Sequence, residues 1–479
     1  MIKKIFTIII FVSVLVLSFV SCEEDKISTD TSLMLNFSAD TVRFDTIFTA
    51  QGSATYKLKV YNPSNNRVLI ERITLNEAQN YKMSVSGISE DVVNDTYLNA
   101  HDSLMIFIQV FIDPNDDKNP FIVRDSIDFF FNNHTQVLQL EAYGRNVKRF
   151  KNKTISADTI ITSEIPILLS DTLKILEGTT LTLSPGARLY CQKGAVILVE
   201  GTLLSEGTME SMVEIRGDRD DYMNTIPPLS YDQASGQWGG IRIAKNSFGN
   251  ILNHTDVRNA DFGIVIDSTN TENSKLIVKN SILRNMLYNV VHSINAKVEI
   301  YNSLLYNAGE NILKLEGGDY KIIHCTLTNN YSFSWGGRTK QILYYSNKYM
   351  DENFNSYPLE LNVEMINSIV YGNYASEIEY NIDEQTPCKY FFKSCHLKQK
   401  LKEIDTSIYI DCILDTPVKF VYDNIKDDTY RVYDYHLTAE SPAISRADVE
   451  YSNLFPLDLD GKERLSDGSA DIGCYEYVP

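Results

Sequence analysis

The sequence has few basic residues for its length, and this shortage limits the partners that it can bind. Its 479 residues contain 44 Lys and Arg against 63 Asp and Glu, which gives a formal net charge of -19. A surface with this excess of negative charge repels nucleic-acid phosphates and anionic lipid headgroups. We therefore expect no nucleic acid among its partners.

The sequence also lacks the short motifs that mark common cofactor and catalytic sites. None of its seven cysteines has C-x-x-C spacing, which disfavours a zinc site. A Gly-rich phosphate loop, a nucleophile elbow and a His-Glu metal motif are absent as well. We expect no cofactor and no resident metal. Cys388 and Cys395 are spaced to close a short disulfide loop, and single buried thiols are the alternative.

An apolar run at residues 5–20 follows two lysines and ends just before Ser21 and Cys22. It is short for a membrane span and is followed by acidic residues where a retained anchor usually has basic ones. Residues 1–21 are therefore predicted to be an export signal.

The residues around Cys22 indicate how the exported chain is held. Ser21 and Cys22 resemble a bacterial lipobox, which implies acylation of Cys22 and a membrane contact through an N-terminal lipid anchor. Phe19 departs from the usual leucine, and a plain secretory signal is the alternative. The acidic residues that follow resemble the export tag of surface lipoproteins. We expect an outer-membrane lipoprotein at the surface of a Gram-negative bacterium, with residues 22–31 as a tether.

Residues 32–147 alternate apolar and polar side chains in short segments separated by turns. Tryptophan is scarce, with 2 residues, whereas tyrosine is abundant, with 29, and this composition favours β structure. About seven strands with one buried face each predict a β-sandwich. The order of its segments resembles the immunoglobulin-like modules related to major sperm protein. Residues 145–153 are rich in basic side chains and are interpreted as a linker.

A six-residue pattern recurs through residues 154–435, and short strands punctuated by glycine surround it. The spacing of its copies is in the low twenties, which is typical of a solenoid with three short strands per coil. The sequence thus predicts an all-β chain, a right-handed parallel β-helix preceded by an immunoglobulin-like β-sandwich. The hexads begin at His254, Asn280, Asn302, His324, Asn367 and Ser394, with a degenerate copy at Ser346.

The asparagines of the hexads are interpreted as structural. Residues at one position of a stacked coil lie over each other, so Asn285, Asn307 and Asn329 are predicted to form a ladder of hydrogen-bonded amides. Small residues at the second position of each hexad are predicted to form a neighbouring column. Catalytic asparagine would not be needed on every coil.

Residues 176–434 resemble the pectate-lyase-like superfamily of right-handed parallel β-helices. Residues 436–479 resemble the choice-of-anchor Q element through the segments "SPAI", "DLDGKER" and "ADIGCYE". They depart from it at "SRAD" and at Cys474. This resemblance implies a closing turn and cap on the β-helix of an exported protein. A cap is also physically required, because the last coil would otherwise offer unpaired strand edges.

The hexad position before the ladder asparagine is predicted to be exposed and to form a stripe along the coils. Aromatic faces stack on sugar rings and guanidinium groups pair with carboxylates, so the stripe indicates an anionic or neutral glycan. The alternative is that exposed strand positions favour these residue types anyway. The stripe consists of Arg258, Arg284, Tyr306, Thr328, Tyr349, Tyr371 and Lys398.

Acidic clusters are the other candidate sites. Glycoside hydrolysis uses paired carboxylates, and residues 216–222 form the densest acidic cluster, at the start of a proline-containing excursion. Asp218 in that cluster is predicted to meet Asp256 and Asp261, which flank the first hexad. A solvated loop is the alternative. Candidate calcium ligands, in a pattern that is equally typical of turns, are Asp458, Asp460 and Asp471.

Three functions remain open from the sequence. The leading hypothesis is a non-catalytic β-helix surface that binds a polysaccharide or a surface protein. The second is a polysaccharide lyase or glycoside hydrolase, which would need basic and acidic residues to converge on one exposed sheet. The third is a structural or adhesive stalk.

Overall fold

The chain is all-β and divides into two compact units, Met1–Asn146 and Val147–Pro479. A computed structural model describes residues 26–219, 221–223, 229–331, 337–422 and 433–479. The predicted acylation at Cys22 lies outside them. Helical structure in the described residues amounts to the 3-10 turn Tyr231–Gln233 and the α-helical turn Val449–Ser452. The predicted fold class is confirmed.

In residues 26–146, the first unit is a sandwich of two β-sheets with nine strands. The four-stranded sheet has the order Asn36–Phe37, Tyr56–Tyr61, Ser103–Val110 and Tyr81–Val85. The five-stranded sheet has the order Thr41–Phe48, His134–Arg145, Phe121–Phe131, Val68–Leu75 and Val92–Leu98. The pairing of Thr41–Phe48 with His134–Arg145 is parallel, and the other pairings are antiparallel.

Alternating side chains explain why these strands form. In Ser103–Val110 the four apolar residues Leu104, Ile106, Ile108 and Val110 are buried, while the residues between them are exposed. They join one core that both sheets share. Burial of each such side chain, relative to leaving it exposed to water, stabilises the folded state by roughly 1.5–3 kcal/mol. A register slip of one residue would turn the whole set to solvent, so the register is fixed.

The second unit is a parallel β-helix whose coils have three strand faces, which we name A, B and C in chain order. Face A is an 11-stranded sheet. Faces B and C are joined in a 17-stranded sheet, because Val291–Tyr301 and Leu313–Ile323 run round the bend between them. The pairings within both sheets are parallel.

The strands of the β-helix have the following bounds. Face A consists of Lys148–Phe150, Ile167–Leu169, Arg188–Cys191, Val213–Gly217, Thr255–Arg258, Ile282–Met286, Leu304–Ala308, Thr326–Asn329, Ile369–Gly372, His396–Leu397 and Ile413–Leu414. Faces B and C consist of Lys153–Ile155, Thr159–Ile161, Leu173–Ile175, Thr180–Leu183, Val196–Val199, Thr202–Glu206, Gly240–Ile243, Asn250–Asn253, Ile264–Ile266, Ser274–Lys279, Val291–Tyr301, Leu313–Ile323, Leu343–Ser346, Leu361–Ile366, Ile378–Asn381, Cys388–Lys393 and Tyr409–Ile410. Short antiparallel pairs join Tyr222–Met223 to Leu229–Ser230, Lys348–Met350 to Ser356–Pro358, and Phe420–Tyr422 to Asp434–Leu437.

The bend from face C to face A explains the first position of the hexad. The residues there have left-handed backbone with φ between 44° and 52°: His254, Asn280, Asn302, His324, Asn367 and Ser394. This conformation costs a residue with a Cβ atom about 1–2 kcal/mol. Asn and His tolerate it better than most residues, so the bend selects them.

Small side chains at the second hexad position bond the coils to each other. Ser281 Oγ accepts the backbone N–H of Thr255 at 3.1 Å, and Ser303 Oγ accepts that of Ser281 at 3.1 Å. Ser368 Oγ accepts the N–H of Cys325 at 3.0 Å in the same way. These buried donors have no strand partner at the bend, so the hydroxyl column satisfies them.

The predicted asparagine ladder lies at the bend from face A to face B. Asn285 and Asn307 both have φ of 58°, and Asn307 Nδ2 donates to Asn285 Oδ1 at 3.3 Å. Asn329 differs, because its Nδ2 donates to the backbone oxygen of Ala308 at 2.9 Å. A contact between amides therefore joins two of the three residues, and the third bonds the neighbouring backbone.

Residues 145–153 contain strand structure where we expected a linker. Lys148–Phe150 is the first strand of face A and pairs with Ile167–Leu169, and Lys153–Ile155 begins the second sheet of the β-helix. The side chain of Phe150 is 6% exposed and packs in the core. Burial of the Phe150 ring alone therefore holds this strand on face A, although the residues beside it in the sequence are basic and exposed.

The degenerate hexad at Ser346 does not return to face A. Leu343–Ser346 is a strand of face B, and the chain then forms the antiparallel hairpin of Lys348–Met350 and Ser356–Pro358. It continues to Leu361–Ile366 on face C. The hairpin is thus an insertion between faces B and C, and the pattern at Ser346 is not the start of a coil.

The C-terminal segment, residues 436–479, lies along the outward side of face A, whereas we expected it to close the end of the last coil. Outward residues of face A, among them Leu304 and Ile369, are buried against Ile472 and Tyr475 of this segment. Apolar side chains on the outer side of a strand need a cover, and the segment supplies it.

Polar contacts fix the C-terminal segment at several coils. Arg464 has no exposed side-chain surface, and its Nη1 donates to Glu476 Oε1 at 2.6 Å. Its Nη2 donates to Asn302 Oδ1 at 2.6 Å, at the bend of a coil. His324, also buried, contacts Ser452 Oγ through Nε2 at 2.9 Å. The histidine therefore has a structural role.

Candidate functional site

Face A stacks the residues of the stripe in register. Arg258 pairs with Arg284, Arg284 with Tyr306, and Tyr306 with Thr328. Thr328 pairs in turn with Tyr371. Arg216 precedes Arg258 by one coil in the same column, so the stripe begins with three consecutive arginines.

Three carboxylates neutralise these arginines. Arg258 donates from Nε to Asp232 Oδ1 at 2.7 Å, from Nη1 to Asp256 Oδ2 at 2.5 Å and from Nη2 to Glu214 Oε2 at 3.1 Å. All three branches of its guanidinium are therefore engaged. We use the name ion network for Arg216, Arg258, Arg284, Glu214, Asp232 and Asp256.

Asp232 links all three arginines. Its Oδ2 lies 3.3 Å from Arg284 Nη1, and its Oδ1 lies 3.4 Å from Arg216 Nη1. Arg284 Nη2 also donates to Asp256 Oδ2 at 3.2 Å. Burial alone would raise the pKa of Asp232, but the arginines outweigh it and hold that pKa well below its ordinary value.

The prediction that the arginines of the stripe are exposed is wrong. The side chain of Arg258 is 7% exposed and that of Arg284 is 12% exposed. The cause is the excursion after face A, whose 3-10 turn carries Asp232 onto the sheet. Asn259 Nδ2 fastens this turn by donating to the backbone oxygens of Asp232 and Ala234, each at 2.8 Å.

The three predicted aspartates have different surroundings. Asp256 belongs to the ion network. Asp218 accepts a hydrogen bond from Gln192 Nε2 at 3.1 Å, and burial raises its pKa. Asp261 Oδ1 lies 3.6 Å from the exposed Lys193 Nζ. Each carboxylate thus has its own partner, and the contacts of the described residues join none of these aspartates to another.

Tyr306, the next residue of the stripe, lies under the chain that follows the last coil. Its ring centroid is 5.2 Å from that of Tyr435 and 6.2 Å from that of Tyr433. Burial raises the pKa of the Tyr306 hydroxyl. The ring is partly buried and already packs against these aromatic residues.

The distal end of the stripe is engaged as well. The ring of Tyr371 packs edge-on to Phe420 at a centroid distance of 6.3 Å. Lys398 Nζ lies 5.6 Å from the centroid of Tyr371 and 3.1 Å from Asp415 Oδ1. Tyr371 and Lys398 therefore contact residues that follow the last coils, Phe420 and Asp415.

Tyr349 does not belong to the stripe. It lies in the hairpin, where it pairs with Tyr357 and their ring centroids are 6.4 Å apart. Burial and the nearby Glu316 raise the pKa of Tyr349. The hairpin strand Lys348–Met350 also contacts Leu313–Ile323, the strand that carries Glu316. The hairpin therefore lies beside a second polar cluster.

That cluster is on the outward side of face B. His292 Nε2 lies 2.7 Å from Glu316 Oε2, and Lys314 Nζ lies 3.4 Å from the same oxygen. The side chain of His292 is 18% exposed and that of Lys314 is 31% exposed. We use the name open face for His292, Lys314, Glu316, Tyr344, Tyr349 and Glu379.

The strand register places four of these residues in one column, while Glu316 lies in the next column and Tyr349 in the hairpin. His292 pairs with Lys314, Lys314 with Tyr344, and Tyr344 with Glu379. The hairpin stands beside this column and exposes 84% of Phe354 at its tip. An imidazole, an ammonium group, two carboxylates and two phenols are thus collected on one surface.

Sequence reasoning missed the open face, although one signal was present. His292 and Lys314 each follow a ladder asparagine, Asn285 or Asn307, by seven residues. Equal offsets in a solenoid place side chains over each other, so the pair was predictable. Glu316 and the hairpin follow no such offset, and their contribution depends on the three-dimensional contact.

The candidate calcium ligands act as turn residues. Asp458 Oδ1 accepts the backbone N–H groups of Asp460 at 2.9 Å and Lys462 at 2.7 Å. Asp471 Oδ1 accepts that of Ser445 at 2.7 Å. Within the described residues, we find no group of three or more His, Cys, Asp or Glu placed to hold a metal ion. Those residues also contain no helix that is long and apolar enough to cross a membrane.

Comparisons with known proteins give no family. No family model and no curated protein matches the chain. One matching structure is a family 123 glycoside hydrolase from Clostridium perfringens, studied for glycolipid glycan hydrolysis, with 12% identity, a TM-score of 0.19, and coverage of 27% of this chain and 30% of that chain. Another is a protein of unknown function from Porphyromonas gingivalis W83, with 7% identity, a TM-score of 0.18, and coverage of 26% and 60%. Both matches cover less than two thirds of the other chain, and such TM-scores carry no argument.

Proposed function

We propose that this protein is an acylated envelope protein whose β-helix binds a polysaccharide without transforming it, through the open face. The observation that carries the proposal is the column of His292, Lys314 and Tyr344, whose polar groups and ring remain partly exposed. Sugar hydroxyls hydrogen-bond to such groups, and the apolar side of a sugar ring packs on a phenol. The stripe is not used, because its arginines are already neutralised.

The location in the envelope is part of the proposal and is supported by the sequence. Ser21 and Cys22 follow an apolar run with two lysines before it, and acidic residues come next. Attachment by lipid chains, at about 0.8 kcal/mol per buried methylene, would leave the folded units in solvent on one side of the outer membrane.

Membership of the pectate-lyase-like superfamily is likewise proposed. The large parallel sheets with three faces per coil support it. The choice-of-anchor Q-like element and the immunoglobulin-like character of the first unit are proposed from their sequence segments.

A lyase or glycoside hydrolase is the second candidate, because one contact favours it. His292 Nε2 is within hydrogen-bond distance of Glu316 Oε2, and a carboxylate that orients an imidazole is a common arrangement for a general base. Lys314, which also contacts Glu316, could neutralise a uronate carboxylate.

One experiment separates these functions. The folded mature protein is incubated with a panel of acidic and neutral polysaccharides, and retention on each polymer, unsaturated product and new reducing ends are measured. We expect retention on at least one polymer without product. Product that disappears in His292→Asn would establish the enzyme instead, and absence of both retention and product would leave the stalk.

A further inference from the structure

We propose that Cys395 and Cys412 are a site of covalent modification, at which thiol–disulfide exchange forms a bond between the last two coils of the β-helix. The strands His396–Leu397 and Ile413–Leu414 pair in register, and the two cysteines immediately precede these paired strands. This cross-link is independent of the proposed polysaccharide binding.

The backbone geometry brings the two thiols together. The N–H of Ile413 donates to the backbone oxygen of Cys395 at 2.8 Å, which joins the two chains at the cysteines. Neighbouring strands are about 4.8 Å apart, within the range of Cα separations that a disulfide spans.

The two side chains have matching orientations. Cys395 Sγ lies 3.3 Å from the backbone oxygen of Lys393, and Cys412 Sγ lies 3.5 Å from that of Ile410, which is also two residues earlier. Both thiols therefore point to the same side of the stacked bends. To form a disulfide, the sulfurs must rotate about χ1 toward each other and the two Cβ atoms must approach slightly, at the cost of these weak bonds to carbonyls.

Exposure assigns a role to each thiol. Cys395 is fully buried, whereas Cys412 is partly exposed and can meet a reagent. The neighbouring thiol of Cys395 lowers the pKa of Cys412, which makes Cys412 the better nucleophile. Burial raises the pKa of Cys395. Cys412 is the attacking thiol, and Cys395 resolves the intermediate.

The co-reactant is a low-molecular-weight disulfide such as oxidised glutathione. The thiolate of Cys412 attacks one of its sulfurs, which forms a mixed disulfide and releases one glutathione thiolate. Cys395 then loses its proton and attacks Cys412 Sγ, which forms the bond between the coils and releases the second glutathione thiolate. Two protein thiols are oxidised, and one disulfide is reduced to two thiols.

The other cysteine pairing that the sequence suggested does not fit. The extended strand Cys388–Lys393 separates Cys388 from Cys395, so their Cα atoms are roughly 20 Å apart. Cys325 has Ser368 at the same position of the next coil, so it has no thiol above it. Cys325 is thus an internal control, since it occupies the same kind of bend.

The test is peptide mapping of the folded full-length protein. The reduced protein is incubated in glutathione redox buffer, alkylated and digested with trypsin. We expect residues 394–398 and 403–419 to be recovered as one linked pair, lighter by two hydrogen atoms than the separate peptides, while Cys325 is alkylated. Recovery of the two peptides unlinked, either alkylated or as glutathione adducts, would overturn the proposal.

A variant gives a second readout. We expect oxidation to raise the thermal midpoint of the second unit in the wild type, because the bond closes a loop in the unfolded chain. Cys412→Ser should show no such rise, and its Cys395 should stay reduced. An equal rise in Cys412→Ser would show that the stabilisation comes from another cysteine and would contradict the proposed pair.

Discussion

The carboxylate of Asp232 determines whether the arginine column is open or closed. A short turn of the excursion brings it onto face A, where it contacts all three arginines, whereas Asp256 contacts two of them. The same three guanidinium groups without Asp232 would be a strong site for an anionic polymer. One side chain therefore converts a plausible binding surface into internal structure.

Asp232→Asn is the first prediction at the residue scale. We expect the second unit to lose about 3–5 kcal/mol of unfolding free energy, near the lower value because 28% of the Asp232 side chain is exposed. The loss arises because the buried arginines are left with fewer counter-charges. Urea denaturation followed by circular dichroism measures it.

The matched control is Asp267→Asn. Asp267 pairs with Arg242, whose side chain is 59% exposed, and such surface pairs contribute about 0–1 kcal/mol. If Asp232→Asn costs no more than this control, the ion network does not hold the excursion on face A.

His396 predicts how stability depends on pH. Burial lowers its pKa to about 4, although its contact with the backbone oxygen of Thr416 opposes the shift. In the unfolded state the histidine has a pKa of about 6.5, so between about pH 4 and pH 6.5 the unfolded state binds the proton more readily than the folded state does. The stability that the neutral His396 side chain contributes to the folded state is therefore complete above about pH 6.5. It is lost as the pH falls toward 4.

The measurement is the unfolding free energy of the second unit at pH 7.5 and at pH 4.5. We expect the decrease between them to be smaller in His396→Asn than in the wild type, by on the order of 2–3 kcal/mol. His101→Asn, at an exposed position of the first unit, is the control and should leave the decrease unchanged. Equal decreases in wild type and His396→Asn would refute the assignment.

At the scale of the elements, the C-terminal segment shows what sequence patterns omit. Its turn residues were recognisable, because Asp458 and Asp471 bond to nearby backbone. The position of the segment on face A was not recognisable, because its sequence motif does not indicate which surface it covers. The outward apolar residues Leu304 and Ile369 were the available clue, because leucine and isoleucine that face outward in one column of face A require a cover.

Arg464→Ala tests how this segment is held. The substitution leaves Glu476 buried without its cation and removes the bond to Asn302, so we expect a loss of about 3–5 kcal/mol. Hydrogen exchange should become faster in face A strands under the segment, such as Thr326–Asn329, while the first unit is unchanged. Arg446→Ala in an exposed part of the same segment is the control. Equal exchange in both variants would contradict the role of Arg464.

At the scale of the whole molecule, the repeat was the most predictable feature. The left-handed bends accept few residue types, so residues such as Asn280 and Asn302 mark the start of each coil in the sequence. The hairpin and the excursion interrupt this period, and no local rule gives their partners. The two polar surfaces depend on those insertions, which explains why the sequence indicated neither the burial of the arginines nor the open face.

Attachment of the molecule to a membrane is predicted from Cys22. We expect Cys22→Ala to move the protein from the membrane fraction to the soluble envelope fraction, because the cysteine is the proposed acceptor of the lipid. Cell fractionation with immunoblotting measures the distribution, and Cys388→Ala is the control. Retention of Cys22→Ala in the membrane fraction would count against acylation.

The affinity of Tyr344→Ala for the polysaccharide that the wild type retains tests the central claim, that ligand binds the open face. Isothermal titration calorimetry should show roughly tenfold weaker binding than in the wild type, which corresponds to about 1.4 kcal/mol. Tyr97→Ala, an exposed tyrosine of the first unit, should bind like the wild type. Undiminished affinity in Tyr344→Ala, or an equal loss in Tyr97→Ala, would contradict the account.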